Sequence, residues 1–244
     1  MRPVTTLFFL HGVGGGHAAW DRQVPYFTAR GYRCVAWDQP GYGGTPLVEP
    51  YDFEQVVAAL MTKLDEPAVL VGHSMGGMVA QEACARCPER VQALVLGFTS
   101  PAFPAPGGDF AREFVAARTG PLDEGKSMAE IAAALMPTMR GSKSDPAGVA
   151  LAQRIMSAIP PATYRKAVRL LTTFDRRENL AKIRVPTLLV AGADDRVAPP
   201  VVHEKMAKRI PGARYVLLEG CGHLGPMDQP EAFNQVLEDF LKTL

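Results

Sequence analysis

A serine, two adjacent aspartates and a histidine stand in this chain where together they could break an acyl bond. Ser74 lies in Gly72-His73-Ser74-Met75-Gly76, the aspartates in Gly192-Ala193-Asp194-Asp195, and the histidine in Gly222-His223. A serine hydroxyl attacks a carbonyl slowly unless a base removes its proton. Imidazole can do so near neutral pH, and a carboxylate behind it fixes the tautomer and stabilises the imidazolium. The glycines two residues either side of Ser74 allow the sharp strand–serine–helix turn of a nucleophile elbow. That spelling alone is weak, because small-residue turns after strands are common.

The surrounding elements add weight. Apolar runs at Val4–Leu10, Tyr32–Trp37, Ala68–Val71, Val91–Leu96, Pro186–Ala191 and Ala213–Leu218 read as strands. Helical patterns at Ala18–Arg30, Phe53–Leu64, Met75–Cys87, Val201–Arg209 and Pro230–Leu244 alternate with them. Continuous rather than alternating apolar strands predict a parallel sheet covered on both faces. Ser74, the aspartates and His223 each follow a strand, at the carboxyl edge where such sheets place their sites. Their order is serine, acid, histidine.

The alternation breaks between Thr99 and about Lys182. Pro101, Pro104, Pro106, Gly107 and Gly108 read as a linker, followed by helices at Phe110–Arg118, Ser127–Met136, Ala147–Ile159 and Pro161–Asp175. The expected organisation is a core of residues 1–99 and 183–244 with a helical cap over 100–182. Met128, Met136, Met139 and Met156 fall in the cap and could line a pocket or simply pack its layer.

Composition sets the outer bounds. The chain has 244 residues, 47% hydrophobic and 21% charged, with net charge +1, which is enough for a sizeable core and gives no sign of nucleic-acid or membrane binding. Met1–Leu10 has an apolar stretch too short for a signal peptide and lacks a cleavage site, so a cytoplasmic location is expected. Cys84 and Cys87 have C-x-x-C spacing, but no second ligand pair follows; with Cys34 and Cys221 they read as buried or partly buried thiols. No metal or cofactor is expected.

Taken together, His11-Gly12, Asp38-Gln39-Pro40-Gly41-Tyr42-Gly43, Gly72–Gly76, Gly192–Asp195 and Gly222-His223 resemble the α/β-hydrolase superfamily. The resemblance runs over nearly the whole chain outside the insertion. It implies an α/β-hydrolase fold: a mostly parallel sheet with helices on both faces and a helical cap. Relatives usually begin with a β-hairpin, for which no room is left before His11, so about six strands are expected. The strand at Tyr32–Trp37 would then form a less protected edge, through which a homodimer is conceivable. The resemblance also implies Asp195 as the triad acid, 28 residues before His223, with Asp194 as the rival. By the same resemblance, the backbone N–H groups of Val13 and Met75 form the oxyanion hole.

Other residues have lesser expected roles. His11 braces its loop, His73 packs facing away from the site, and His17 and His203 lie on the surface. Asp38 holds its turn through nearby amides. Trp20 either walls the pocket or packs under a helix. Phe103, Phe110 and Phe114 could supply apolar walls. Arg112, Arg118 or Arg140 could bind a substrate carboxylate, although each is read first as an ordinary surface charge.

The expected chemistry is cleavage of a small carboxylic ester or lactone through an acyl-enzyme on Ser74. The segment after His223 resembles the carboxylesterase and 3-oxoadipate enol-lactonase branch. Serine rather than aspartate at position 74 weighs against epoxide hydrolases and haloalkane dehalogenases, and Leu224 in place of tryptophan weighs against carbon–carbon hydrolases of aromatic degradation. Cofactor-free haloperoxidase or perhydrolase chemistry could be a side activity. A ligand-sensing protein that keeps the fold is the alternative of another class.

Overall fold

Six buried or half-buried apolar runs pair in parallel in the computed structural model, which describes residues 4–105 and 107–244. Met1 to Pro3, in the segment read against a signal peptide, and Pro106 of the linker lie outside the described residues. The strands are β1 (Thr6–Leu10), β2 (Arg33–Trp37), β3 (Ala68–His73), β4 (Val91–Gly97), β5 (Thr187–Gly192) and β6 (Arg214–Leu218). Their order is β2-β1-β3-β4-β5-β6, with every neighbouring pair parallel. Every residue of β3 and β5 is buried, as continuous apolar spelling requires, whereas the edge strands β2 and β6 remain partly open.

Ten α-helices are described: α1 (Gln23–Thr28), α2 (Phe53–Met61), α3 (Met75–Arg86), α4 (Asp109–Asp123), α5 (Met128–Met139), α6 (Pro146–Ser157), α7 (Pro161–Leu171), α8 (Pro200–Arg209), α9 (Gly225–Asp228) and α10 (Pro230–Leu241). Strand order reverses at β1, so right-handed crossovers send helices to both faces of the sheet. Helix α1 packs with α10, and α2 with α3. No helix among the described residues is long and apolar enough to cross a membrane.

The Ala18–Arg30 pattern is not one helix. It forms a 3₁₀ turn at His17–Trp20 and then α1. Pro25 supplies the reason: without an N–H it fits only a helix's first turn, so α1 starts just before it. Helix α7 stops at Leu171, short of the expected Asp175. The four-residue α9 was not anticipated; it is too short to show periodicity.

Helices α4 to α7 form one continuous excursion between β4 and β5, and its two ends are fastened together. The Phe103 N–H donates to the Phe174 carbonyl at 2.8 Å and the Arg176 N–H to Pro101 at 2.7 Å, around an antiparallel bridge between Ala102 and Asp175. Glu82 on α3 anchors this junction: its side chain, 3% exposed, pairs with Arg176 and with Arg86, themselves 29% and 39% exposed. Burial opposes the Glu82 charge, but hydrogen bonds from Arg176 and Arg86 outweigh it and hold its pKa below the ordinary value.

A depressed carboxyl pKa contributes stability above the unfolded value, near 4.3, and loses it as pH falls through the folded value. Glu82→Gln should therefore cost about 1–3 kcal/mol at pH 7, given partial solvent screening of the arginines. Urea denaturation at pH 7 and pH 3.5 checks this: the gap between the proteins should narrow at the lower pH.

Candidate active site

Strand β3 ends in Ser74, whose φ of 54° and ψ of −120° lie outside the regions ordinary residues favour. Such strain persists only where the surroundings over-determine it. A Cβ on Gly76 would lie 2.0 Å from the Leu10 carbonyl oxygen, and one on Gly72 would lie 2.5 Å from the Gly76 carbonyl oxygen. Both positions must be glycine for β1, β3 and α3 to meet. The Ser74 N–H donates to the Gly97 carbonyl at 3.0 Å, which locks the turn to β4.

Ser74, His223 and Asp195 converge from the ends of three strands. Ser74 Oγ lies 3.0 Å from His223 Nε2, and His223 Nδ1 lies 2.8 Å from Asp195 Oδ2. The other Asp195 oxygen accepts the Val197 and Ala198 amides at 2.8 and 2.9 Å. Burial works against the Asp195 charge, but His223 and these two amides outweigh it and keep its pKa below the ordinary aspartate value. Asp194 points elsewhere, accepting the Ser142 amide and hydroxyl at 2.7 Å.

His223 is held at both ends of its backbone. Its N–H donates to the Met139 carbonyl at the end of α5 (2.7 Å), and its carbonyl accepts the His73 Nε2–H (2.7 Å). His73 therefore does not merely pack away from the site; its ring lies 5.2 Å from the His223 ring and supports that loop. Residues 143–145, after α5, add further ties: Lys143 N–H to Gly220, Asp145 N–H to the Asp228 carbonyl, and Ser144 Oγ to the Asp228 carboxyl.

Among the described residues, the amides of Val13 and Met75, in the loops on either side of Ser74, have no protein acceptor. Each is aimed by its own peptide's carbonyl, because N–H and C=O of a planar trans peptide point in opposite directions. The Gly12 carbonyl accepts His11 Nδ1–H at 2.8 Å and the Gly15 N–H at 2.9 Å. The Ser74 carbonyl accepts the Thr99 hydroxyl at 2.7 Å and the Gly77 N–H at 2.9 Å. A Cβ on Gly12 would lie 2.9 Å from Ser74 Cβ, so the loop bearing Val13 comes this close to Ser74 only with glycine there. Tyr42 reinforces that loop by donating to the Val13 carbonyl at 2.9 Å.

His11 accepts the Gln39 N–H at Nε2 (3.1 Å), so it braces two loops as a neutral Nδ1–H ring. His203, expected on the surface, is fully buried and accepts the Thr99 N–H at 2.9 Å. It shares a helix face with Met206 and Ile210, and that spacing is the signal the sequence reading passed over. Asp38 binds no nearby amide in its turn; its carboxylate accepts the backbone N–H and ring of the exposed His17, at 2.7 and 2.6 Å.

The cavity beside Ser74 measures about 90 Å³ and is largely apolar. Met136, Met139 and Met156 line it, whereas Met128 is buried in packing. Phe114 forms one wall, while Phe103 stacks against Phe110 and Phe114 behind it. Trp20 packs between Phe9 and Phe233, outside the cavity. Arg118 reaches the cavity, Arg112 pairs with Asp109, and Arg140 lines a separate surface groove with Asp194. No cluster of three or more His, Cys, Asp or Glu is placed to hold a metal among the described residues. Cys34, Cys84, Cys87 and Cys221 are free thiols, Cys84 and Cys221 buried and the other two partly so.

Burial lowers the pKa of His11 to about 4, of His73 to about 3 and of His203 to about 4. A base with a lowered folded pKa takes up fewer protons than its unfolded form, so stability falls as pH drops below the unfolded value, near 6.5. The expected loss is up to about 1.4 kcal/mol per pH unit per ring. Denaturation at pH 7 and pH 5, with ¹⁵N NMR of the three neutral rings at the same pH values, measures it.

A family model described as the alpha/beta hydrolase family matches residues 7–236. A pimeloyl-[acyl-carrier protein] methyl ester esterase of Aromatoleum aromaticum is 33% identical over 252 residues, covering 97% of this chain and 98% of that protein. An enol-lactonase from Burkholderia xenovorans superposes with a TM-score of 0.85 at 23% identity, over 99% of this chain and 94% of that one. A bromoperoxidase from Bacillus anthracis gives 0.85 at 20% identity, over 98% and 92% of the two chains. The two superpositions establish a shared fold.

Proposed function

Since the chain belongs to the alpha/beta hydrolase family, we propose that it is a serine hydrolase cleaving small carboxylic esters or lactones through an acyl-enzyme on Ser74. The observation that carries this reading is the unbroken run of contacts from Ser74 Oγ through His223 to Asp195, beside an apolar cavity. The relative named as a methyl ester esterase supports action on ester bonds.

In the proposed reaction, Ser74 Oγ attacks the substrate carbonyl carbon while His223 Nε2 takes the hydroxyl proton. Asp195 keeps the imidazole proton on Nδ1 and stabilises the imidazolium that forms. Negative charge gathers on the carbonyl oxygen, where the Val13 and Met75 amides receive it without having to reorient. The tetrahedral species collapses as His223 gives its proton to the leaving alkoxide, or to the ring-opening oxygen of a lactone. Water then attacks the acyl-enzyme, with His223 again as base, and releases the acid and Ser74. The helices α4 to α7 act as the cap that shapes the cavity.

Hydrolysis of p-nitrophenyl esters from acetate to decanoate tests this, with activity expected to peak at short acyl chains in a cavity of about 90 Å³. Ser74→Ala should lower kcat/KM at least about 10⁴-fold. Asp195→Asn should lower kcat about 10³- to 10⁴-fold, while Asp194→Asn stays within a few-fold of the parent. A folded protein inert across the series, or an Asp194 variant as damaged as the Asp195 one, would contradict the assignment. Thr99→Val removes the hydroxyl that holds the Ser74 carbonyl. It should cost about tenfold in kcat with KM little changed, and Thr99→Ser should restore it.

A further inference from the structure

Among the described residues, Arg118 is the single lysine, arginine, aspartate or glutamate on the wall of the cavity beside Ser74. It stands on α4, one turn after Phe114, with its guanidinium carbon 5.4 Å from the Phe114 ring centroid. The buried Tyr164 of α7 lies beside it as well; burial raises the Tyr164 pKa, and the charge of the Arg118 guanidinium and its hydrogen bond to the tyrosine partly oppose the rise. Among the described residues, no carboxylate comes within ion-pair distance of Arg118, whereas Arg112 pairs with Asp109 and Arg165 with Asp123; Arg169 of α7 also lacks one but does not line the cavity. Apart from Ser74, the two histidines, Tyr164 and the glycine loop, the remaining wall is apolar, mostly methionine, leucine and valine.

A half-buried arginine with only a tyrosine beside it and no carboxylate among the described residues still lacks a counter-charge. A substrate that fills the cavity with neutral, apolar atoms strips water from the cation and offers nothing in return. A carboxylate accepts two parallel N–H bonds from the guanidinium and cancels its charge. A site of this kind discriminates strongly against a neutral isostere, because rejecting a missing polar partner costs more than rejecting a missing methylene. Arg118 and Ser74 share the wall of this one confined cavity, so a carboxylate and the reacting carbonyl of one small substrate can be held in it together.

From this juxtaposition we infer that Arg118 binds a free carboxylate of the substrate, so that short esters or lactones carrying one negative charge, such as monoesters of short dicarboxylic acids, are preferred. The inference rests on the serine-hydrolase reading for its reaction, and on Arg118 alone for its selectivity.

The test compares kcat/KM for monomethyl succinate and monomethyl glutarate with that for methyl butanoate and methyl pentanoate. The quantity read is the preference ratio of anionic to neutral ester. In Arg118→Met the ratio should fall roughly tenfold to hundredfold, mostly through KM, with partial recovery in Arg118→Lys. Should Arg118→Met fail to fold, Arg118→Gln keeps a polar side chain and should lower the ratio in the same direction. In parallel, calorimetry measures monomethyl glutarate binding to Ser74→Ala and to Ser74→Ala combined with Arg118→Met, and the second should bind at least tenfold more weakly. A ratio and a binding constant that Arg118→Met leaves unchanged would overturn the inference. Arg118-dependent binding without turnover of any ester by the parent protein would retain it and overturn the serine-hydrolase reading.

Discussion

An amide hydrogen cannot be aimed directly by a side chain; it is aimed by capturing the oxygen across its own rigid peptide plane. The region around Ser74 depends on this constraint twice. The Gly12 oxygen is captured by His11 and Gly15, and the Ser74 oxygen by Thr99 and Gly77, so the Val13 and Met75 amides are each held in a fixed direction. Behind these captors stands a further tier: Gln39 holds the His11 ring, and His203 holds the Thr99 amide. The buried histidines are thus parts of the backbone scaffold, and burial keeps them neutral so that each ring can accept as well as donate.

The sheet supplies the place where this can happen. Strand order reverses between β1 and β3, which opens a crevice at their carboxyl ends between the His11–Gly15 loop and the elbow. Glycines at 72 and 76 let three backbones converge there to distances no side chain would permit. The strained conformation of Ser74 survives because its amide, its carbonyl and the helix beginning at Met75 are all fixed from outside the turn.

Much of this was legible in the chain because parallel strands write themselves as unbroken apolar runs and release their functional residues at one edge. The meeting of Ser74, one of the two aspartates and His223 could be read that way, as could the six parallel strands. Residue types alone leave Asp194 and Asp195 level; the family resemblance favours Asp195, and the structure gives each its own partner, Ser142 for Asp194 and His223 for Asp195. His203 was misread because one histidine among charged residues looks superficial, although its spacing to Met206 and Ile210 marks a buried stripe. The tie between His17 and Asp38 spans 21 residues and leaves no local pattern. Which of three arginines faces the cavity was equally out of reach, since that depends on how α4 rotates against α7.

The tether between His223 and Met139 bears on how this protein can be rebuilt. The helical excursion looks like a cassette that could be transplanted between relatives by cutting near residues 99 and 183. Its first half is not free cargo, however: the end of α5 and the turn after it carry the hydrogen bonds that seat the histidine loop. A donor cassette whose backbone does not place a carbonyl where that of Met139 lies would bring in a new wall and a displaced His223 together. Recombination that respects this coupling must either import the histidine loop with its own α5, or confine the exchange to the helices after residue 145.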